Sequence, residues 1–252
     1  MNEPQKPLQD IRNEARRVAS ALTQSSVPVR LIGGSAIWLR CPSADHELLR
    51  RNYADLDLLG LSSHSSEIKQ FLTGLGYEAD KYFNSLHGRS RLLFYDPHNE
   101  TQVDVLFNEM LMCHKLDFRS RISVDQRTLP LADLLLTKLQ IVQTNPKDMN
   151  DLVTLFCDHP INDQDGENIN GSYISHLTAL DWGLYRTIQI NLEQLQEHVR
   201  SLPQIGPYPV EQQIQKLWTM IDGEPKSVKW KMRARIGDRV QWYELPEEVR
   251  RS

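Results

Sequence analysis

Apolar positions recur in two rhythms along the chain, and the change from one to the other divides it. Leu8, Ile11, Ala15 and Val18 recur at helical spacing, which predicts an amphipathic helix over 8–20. Pro28 then opens a short β-type run, Val29-Arg30-Leu31-Ile32, ending at Gly33-Gly34. A helix is predicted to start at Ser35 and stop before Pro42. Polar and apolar residues alternate over 53–59 and end at Gly60, as in a half-buried strand. Residues 67–75 return to helical spacing and stop at Gly76. Two more strand-like runs, 91–95 and 102–107, flank the turn-rich Asp96-Pro97-His98-Asn99 and predict an antiparallel pair.

Beyond about residue 125 the pattern is helical. Pro130 stands where a first helical residue would, ahead of a helix over 131–144. Asn145-Pro146 punctuates it, and 146–157 reads as the next helix. The polar, glycine-containing 162–171 reads as a surface loop, followed by helices over 172–180, 182–202 and 209–221. Trp182 and Trp218 fall in these periodic helices as core residues. The expected architecture is α/β (α+β): a mixed sheet with flanking helices over 1–125, then a helical domain over 126–252 with a basic C-terminal segment.

Composition narrows this little. The 252 residues are 40% hydrophobic and 25% charged with a net charge of -4, ordinary for a globular protein and unlike a chain that coats nucleic acid over its whole surface. Three well-separated cysteines, Cys41, Cys113 and Cys157, fit a reducing compartment. Cys113-His114 with Cys157 and His159 shows no zinc-type spacing. The polar first ten residues read as no signal peptide, and no run of about 18 apolar residues suggests a membrane span. The expected location is cytoplasmic.

Candidate chemistry begins at Asp55-Leu56-Asp57. On a strand, these carboxylates share a face with Cα atoms about 7 Å apart. At about 5 Å between charges and an effective dielectric near 20, their repulsion is roughly 3 kcal/mol. A divalent cation removes it, and hard oxygen donors suit Mg²⁺ or Mn²⁺; a solvated face is the simpler account of the pair alone. Upstream, Gly33-Gly34-Ser35 joins a strand to a helix, where glycine lets phosphate oxygens approach free N–H groups. Downstream, Asp104 sits between Val103 and Val105 in a strand, a position that calls for a metal or a buried partner.

Together, Gly33-Gly34-Ser35, Asp55-x-Asp57 and Asp104 resemble the signature of the DNA polymerase β-like nucleotidyltransferase superfamily. Lys138 and Lys147-Asp148-Met149-Asn150-Asp151 extend the likeness to its minimal and abortive-infection toxin-type members over about residues 26–160. Two features depart from the pattern: 19 residues separate Ser35 from Asp55, and Asn145-Pro146 stands where an Arg usually precedes the Lys-Asp pair. The resemblance implies transfer of an NMP group from a Mg-NTP, with pyrophosphate released. It assigns metal binding and catalysis to Asp55, Asp57 and Asp104, and nucleotide contacts to Gly33, Gly34, Ser35, Lys138, Lys147 and Asp148. The acceptor stays open among a small molecule such as an aminoglycoside, a protein and a tRNA end. The alternative is an inactive nucleotide- or RNA-binding module retaining the fold.

Two basic segments complete the candidates. His87-Gly88-Arg89-Ser90-Arg91 reads as a basic turn between strands, where Arg89 or Arg91 either steers phosphate or is a solvated loop charge. Over 226–239, Lys229, Lys231, Arg233 and Arg235 alternate with Trp230, Met232, Ala234 and Ile236. As a strand this run would carry one basic face for RNA; as a helix its charges would spread around the axis.

Overall fold

The computed structural model describes residues 6–99, 101–202, 205 and 208–245. Residues 1–5, part of the polar N-terminus read as lacking a signal peptide, and 246–252, the end of the basic C-terminal segment, lie outside them.

Helix α1 (Ile11–Thr23) starts at Ile11 rather than Leu8 because Asp10 caps it, its carboxylate accepting the Asn13 N–H at 2.8 Å. Its Ala15, Val18, Ala19 and Leu22 face is buried. Strand β1 (Val29–Ile32) is wholly buried and runs directly into α2 (Gly33–Arg40). Strand β2 (Asp55–Gly60) begins two residues later than its alternation predicts. There Tyr53 lies under the Arg51 guanidinium, 4.4 Å from its ring centre, and not in the sheet. Helix α3 (Ser65–Gly74) leads to β3 (Glu78–Ala79) and α4 (Lys81–His87).

Helix α4 corrects the reading of 87–91 as a turn between two strands. Asp80 caps this helix by accepting the Phe83 N–H at 2.8 Å, and the basic turn is its exit. Strands β4 (Arg91–Tyr95) and β5 (Gln102–Phe107) pair antiparallel. The five-stranded sheet has the order β1-β2-β5-β4-β3, with β2 and β5 parallel and the other neighbours antiparallel. A hairpin of β6 (Glu109–Leu111) and β7 (Lys115–Asp117) follows.

Helix α5 (Leu131–Leu139) is five residues shorter than its apolar pattern predicts, and Pro130 precedes it as its cap. The reason is tertiary. The Asn191 side-chain amide donates to the carbonyls of Leu139 (2.7 Å) and Ile141 (2.8 Å), supplying partners that a continued helix would have supplied. Ile141, Val142, Gln143 and Asn145 are thereby freed to line a cavity. Helix α6 (Pro146–Asp158) opens with a reciprocal cap between Asn145 and Asp148.

The expected loop at 162–171 is more ordered than its composition suggests. Strands β8 (Ile161–Asn162) and β9 (Ile169–Asn170) form a short parallel pair with Ile161 and Ile169 buried. The Arg121 guanidinium grips Asp165 at 2.6 Å from the far side. Helices α7 (Gly171–Leu180), α8 (Trp182–Arg200) and α9 (Val210–Gly223) pack together. Leu31 N–H donates to Arg127 O, and Leu129 N–H to Leu31 O, so the segment entering α5 is stitched to β1. One hydrophobic cluster runs from Ala15 on α1 to Ile221 on α9.

Residues Val228–Ile236 form α10, not a strand with one basic face. Ser227 caps the helix, and turns of about 3.6 residues scatter Lys229, Lys231, Arg233 and Arg235 around its axis. Arg233 lies 4.4 Å over the Trp182 ring and donates to the carbonyls of Gly237 and Val240, while Trp230 meets Tyr185 edge-on. Among the described residues, no helix is long and apolar enough to cross a membrane.

Candidate active site

The parallel pairing of β2 with β5 sets the geometry. Asp57 and Asp104 are direct register partners, and Asp55 pairs with Gln102. Neighbouring strands run about 4.8 Å apart, so the Asp57 and Asp104 side chains leave the sheet side by side on one face, with Asp55 two residues along it. Antiparallel pairing of β1 places Ile32 opposite Asp57. The turn at Gly33 therefore rises directly beside that carboxylate.

Both glycines of the turn are required by what surrounds them. Gly33 has a φ of 69°, and a Cβ there would lie 2.5 Å from Asp57 Oδ2. A Cβ on Gly34 would overlap the Arg51 guanidinium. Arg51 is held by a bidentate pair with Asp151 on α6, both contacts at 2.9 Å. No side chain caps the α2 N-terminus, whose preceding residue is Ile32. Uncapped first-turn N–H groups and a nearby guanidinium make this turn an electropositive spot.

Asp151 also pairs with Lys138 Nζ at 2.9 Å, and Asp148 does so at the same distance. Burial alone would lower the Lys138 pKa, but the two carboxylates outweigh it and hold the ammonium above its ordinary value. A buried relay thus runs from the Gly34 turn through Arg51, Asp151 and Lys138 to Asp148.

Asp57 is the most perturbed carboxyl of the group, pushed up to about 7 by burial first and then by the charges of Asp55 and Asp104. Lys138 and Arg91 offset this only in part. Asp104 is 6% exposed and gripped by the Arg91 side chain, whose Nε lies 2.7 and 2.9 Å from its two oxygens. Three hard-oxygen acids crowded until one resists ionisation form a donor set short of positive charge, which fits a divalent cation chemically. The third donor is already engaged by Arg91, and among the described residues no three acidic, histidine or cysteine side chains form a ready group for a metal.

These groups open on a cavity of about 650 Å³. Of the nine metal and nucleotide candidates read from the sequence, Gly33, Asp57, Asp104, Lys138 and Asp148 line it, as do Arg91 and Cys113. Gly34 lies under Arg51, Ser35 is buried, Asp55 and Lys147 are exposed, and none of these four is in its walls. Arg91, expected either to steer phosphate or to be a solvated turn charge, is the partner of Asp104. Arg51 escaped notice altogether; its one signal was a cation four residues ahead of Asp55, and its partner Asp151 lies 100 residues away. The cysteine–histidine pairs have other partners: Cys113, in the cavity wall, accepts the Val142 N–H on Sγ, His114 bonds Thr187, and His159 meets the carbonyls of Glu167 and Arg40.

No family model matches the chain, and no curated protein does. Among solved structures it is similar to a lincosamide antibiotic adenylyltransferase with lincomycin bound, at 14% identity and a TM-score of 0.38, covering 57% of this chain and 94% of that one. It is also similar to an antigenic nucleotidyltransferase-like protein from Paracoccidioides brasiliensis, at 13% identity and a TM-score of 0.41, covering 89% and 97%. Neither likeness is close enough to assign this chain an activity.

Proposed function

We propose that the chain is a metal-dependent nucleotidyltransferase of the polymerase β-like type, moving an NMP group from an NTP to an acceptor nucleophile. The observation that carries this reading is the register pairing of Asp57 with Asp104 beside Gly33, whose missing Cβ leaves room for the Asp57 carboxylate. Gly33, in the cavity wall at the α2 N-terminus, faces the β- and γ-phosphates, while Gly34 and the buried Ser35 shape the turn and Arg51 adds charge over Gly34. Lys138, held in place by Asp148 and Asp151, faces the same space. Lys147, outside the cavity walls, has no part assigned in this scheme.

Asp55, Asp57 and Asp104 would hold Mg²⁺ or Mn²⁺, which when bound neutralises triphosphate charge and stabilises the departing pyrophosphate. Arg91 must yield Asp104 for this to happen. In the transfer, the acceptor oxygen bonds to the α-phosphorus as the bond to the bridging oxygen of the β-phosphate breaks. The hydroxyl proton passes towards Asp104, and pyrophosphate leaves with the electron pair. Residues 1–125 supply the acids and the turn; the helices of 126–252 supply Lys138, Asp148 and one side of the cleft.

The Arg91–Asp104 pair favours one second reading, an inactive module that binds nucleotide or RNA and keeps the acids only as structure. Calorimetry decides between them. Mg-ATP and the other Mg-NTPs titrated into wild type should show metal-dependent binding that Asp57→Asn abolishes, and pyrophosphate should appear on turnover. Binding indifferent to the substitution would overturn the transferase reading; metal-dependent binding with no pyrophosphate under any acceptor would favour the inactive module.

A further inference from the structure

The cavity has two chemically different ends. Charge lies at one, around Asp57, Arg91, Asp104 and Lys138. Away from them and from Asp148 the lining is uncharged, with Leu106, Met110, Met112, Ile141 and Val142 as its apolar part and Thr137, Gln143 and Asn145 as its polar part. The two ends meet on β5. Leu106 lies two residues beyond Asp104, so its side chain leaves the same face of the sheet. The apolar wall therefore begins one step past the carboxylate that faces the acceptor hydroxyl, while Gly33 and its phosphate turn lie on the other side of Asp57.

Two leucines line the opening although water reaches most of their surface. Leu111, at the end of β6, is 61% exposed, and Leu245 is 60% exposed. Both stand on anchored segments. Leu111 pairs with Lys115 across the hairpin, which a Lys115–Glu109 ion pair at 2.8 Å braces. The C-terminal strap, residues 241–245, is fixed by the Glu244 N–H donating to Cys113 O at 3.0 Å. The Trp242 Nε1–H donates to Thr187 Oγ1 at 3.0 Å, and the Trp242 ring meets Trp182 edge-on at 5.9 Å. Exposed leucines held in the cavity lining present apolar surface that a ligand would cover.

We propose that this apolar end is the acceptor site and that the acceptor is a small, uncharged, largely apolar molecule carrying a hydroxyl; the proposal rests on the nucleotidyl-transfer reading. About 650 Å³ suits a compact ligand together with the triphosphate end of a nucleotide. A polycationic sugar amine would need carboxylates along its length, and the apolar end offers none. The thioethers of Met110 and Met112 adapt to an irregular apolar body. The C-terminal strap forms one lip of the site, so residues far from the acids in sequence set acceptor choice.

The test uses the full chain and a neutral apolar dye, Nile red. Leu111→Lys and Leu245→Lys change exposed side chains and leave the core intact. Wild type should bind one Nile red, and each variant should weaken it at least tenfold while holding Mg-ATP affinity within twofold. Tobramycin, a polycationic amine, should not displace the dye. The opposite pattern, Mg-ATP weakened tenfold with Nile red unchanged, would place the nucleobase there and overturn the proposal. So would displacement by tobramycin, or no dye binding by wild type. Absence of binding of any Mg-NTP by wild type, with the dye behaving as expected, would instead overturn the transfer reading and leave an apolar ligand site.

Discussion

Replacing Asp57 with Asn should stabilise the metal-free chain at alkaline pH. Burial and the neighbouring charges of Asp55 and Asp104 raise the Asp57 carboxyl from 3.8 to about 7. About three pKa units correspond to roughly 4 kcal/mol, and solvent reaching this half-buried side chain reduces that to about 2 kcal/mol. The sign follows from linkage. A carboxyl raised in the folded state favours folding while protonated, and that contribution is fully present below about pH 4 and lost as pH rises through about 7. Asparagine carries no charge to desolvate, so roughly a third of its advantage should be present at pH 5 and all of it by pH 8.5. Thermal unfolding in EDTA at the two pH values measures it. For a chain of this size, about 2 kcal/mol corresponds to roughly 4–8 °C in Tm. The same substitution should abolish metal-dependent nucleotide binding, the stability–function trade expected where like charges are held together for a cation. A Tm lowered equally at both pH values would refute the reasoning, because Asp57 would then be an ordinary structural hydrogen-bonding group.

Two other substitutions probe the turn and the helical half. Gly33→Ala should cost about 1–3 kcal/mol, since it strains a residue at a φ of 69° and sets a methyl group against Asp57 Oδ2; chemical denaturation reads the loss, and an unchanged midpoint would show that the turn relaxes freely. Asp133 is fully buried, and burial, only partly offset by Arg121, raises its carboxyl to about 6. Its contribution is therefore present below about pH 4 and lost as pH rises through 6, about 3 kcal/mol in all. Asp133→Asn should flatten the stability profile across that window, and a parallel profile would count against it.

The acidic constellation was legible because strand periodicity is local. Alternation over 55–59 and 102–107 put each Asp on a strand, and the glycine pair marked where the chain must turn. Their convergence was implied only by the family resemblance and not by local pattern, because it depends on β2 and β5 pairing parallel in one register across 47 positions, as Asp57 meets Asp104. Helix lengths failed where a distant group intervened. The apolar pattern of 131–144 continues past Leu139, and only the Asn191 amide, some 50 residues on, takes the carbonyls that end α5. The 226–239 run was open between a strand and a helix, and a Ser227 cap and packing decided for the helix.

Sequence alone determined which residue types were present and how each segment prefers to fold: glycines at a strand-to-helix turn, acids in strands, a capping Asn before Pro146. Those are short-range preferences, decided by steric and hydrogen-bonding choices within a few residues. Tertiary structure decided which charges meet. It set Arg91 on Asp104, Arg51 on Gly34 and Asp151, and Lys138 between Asp148 and Asp151. It also decided that the C-terminal strap would border the cavity. Such pairings depend on positions in space, and neither a carboxylate nor a guanidinium carries any local mark of the partner it will find.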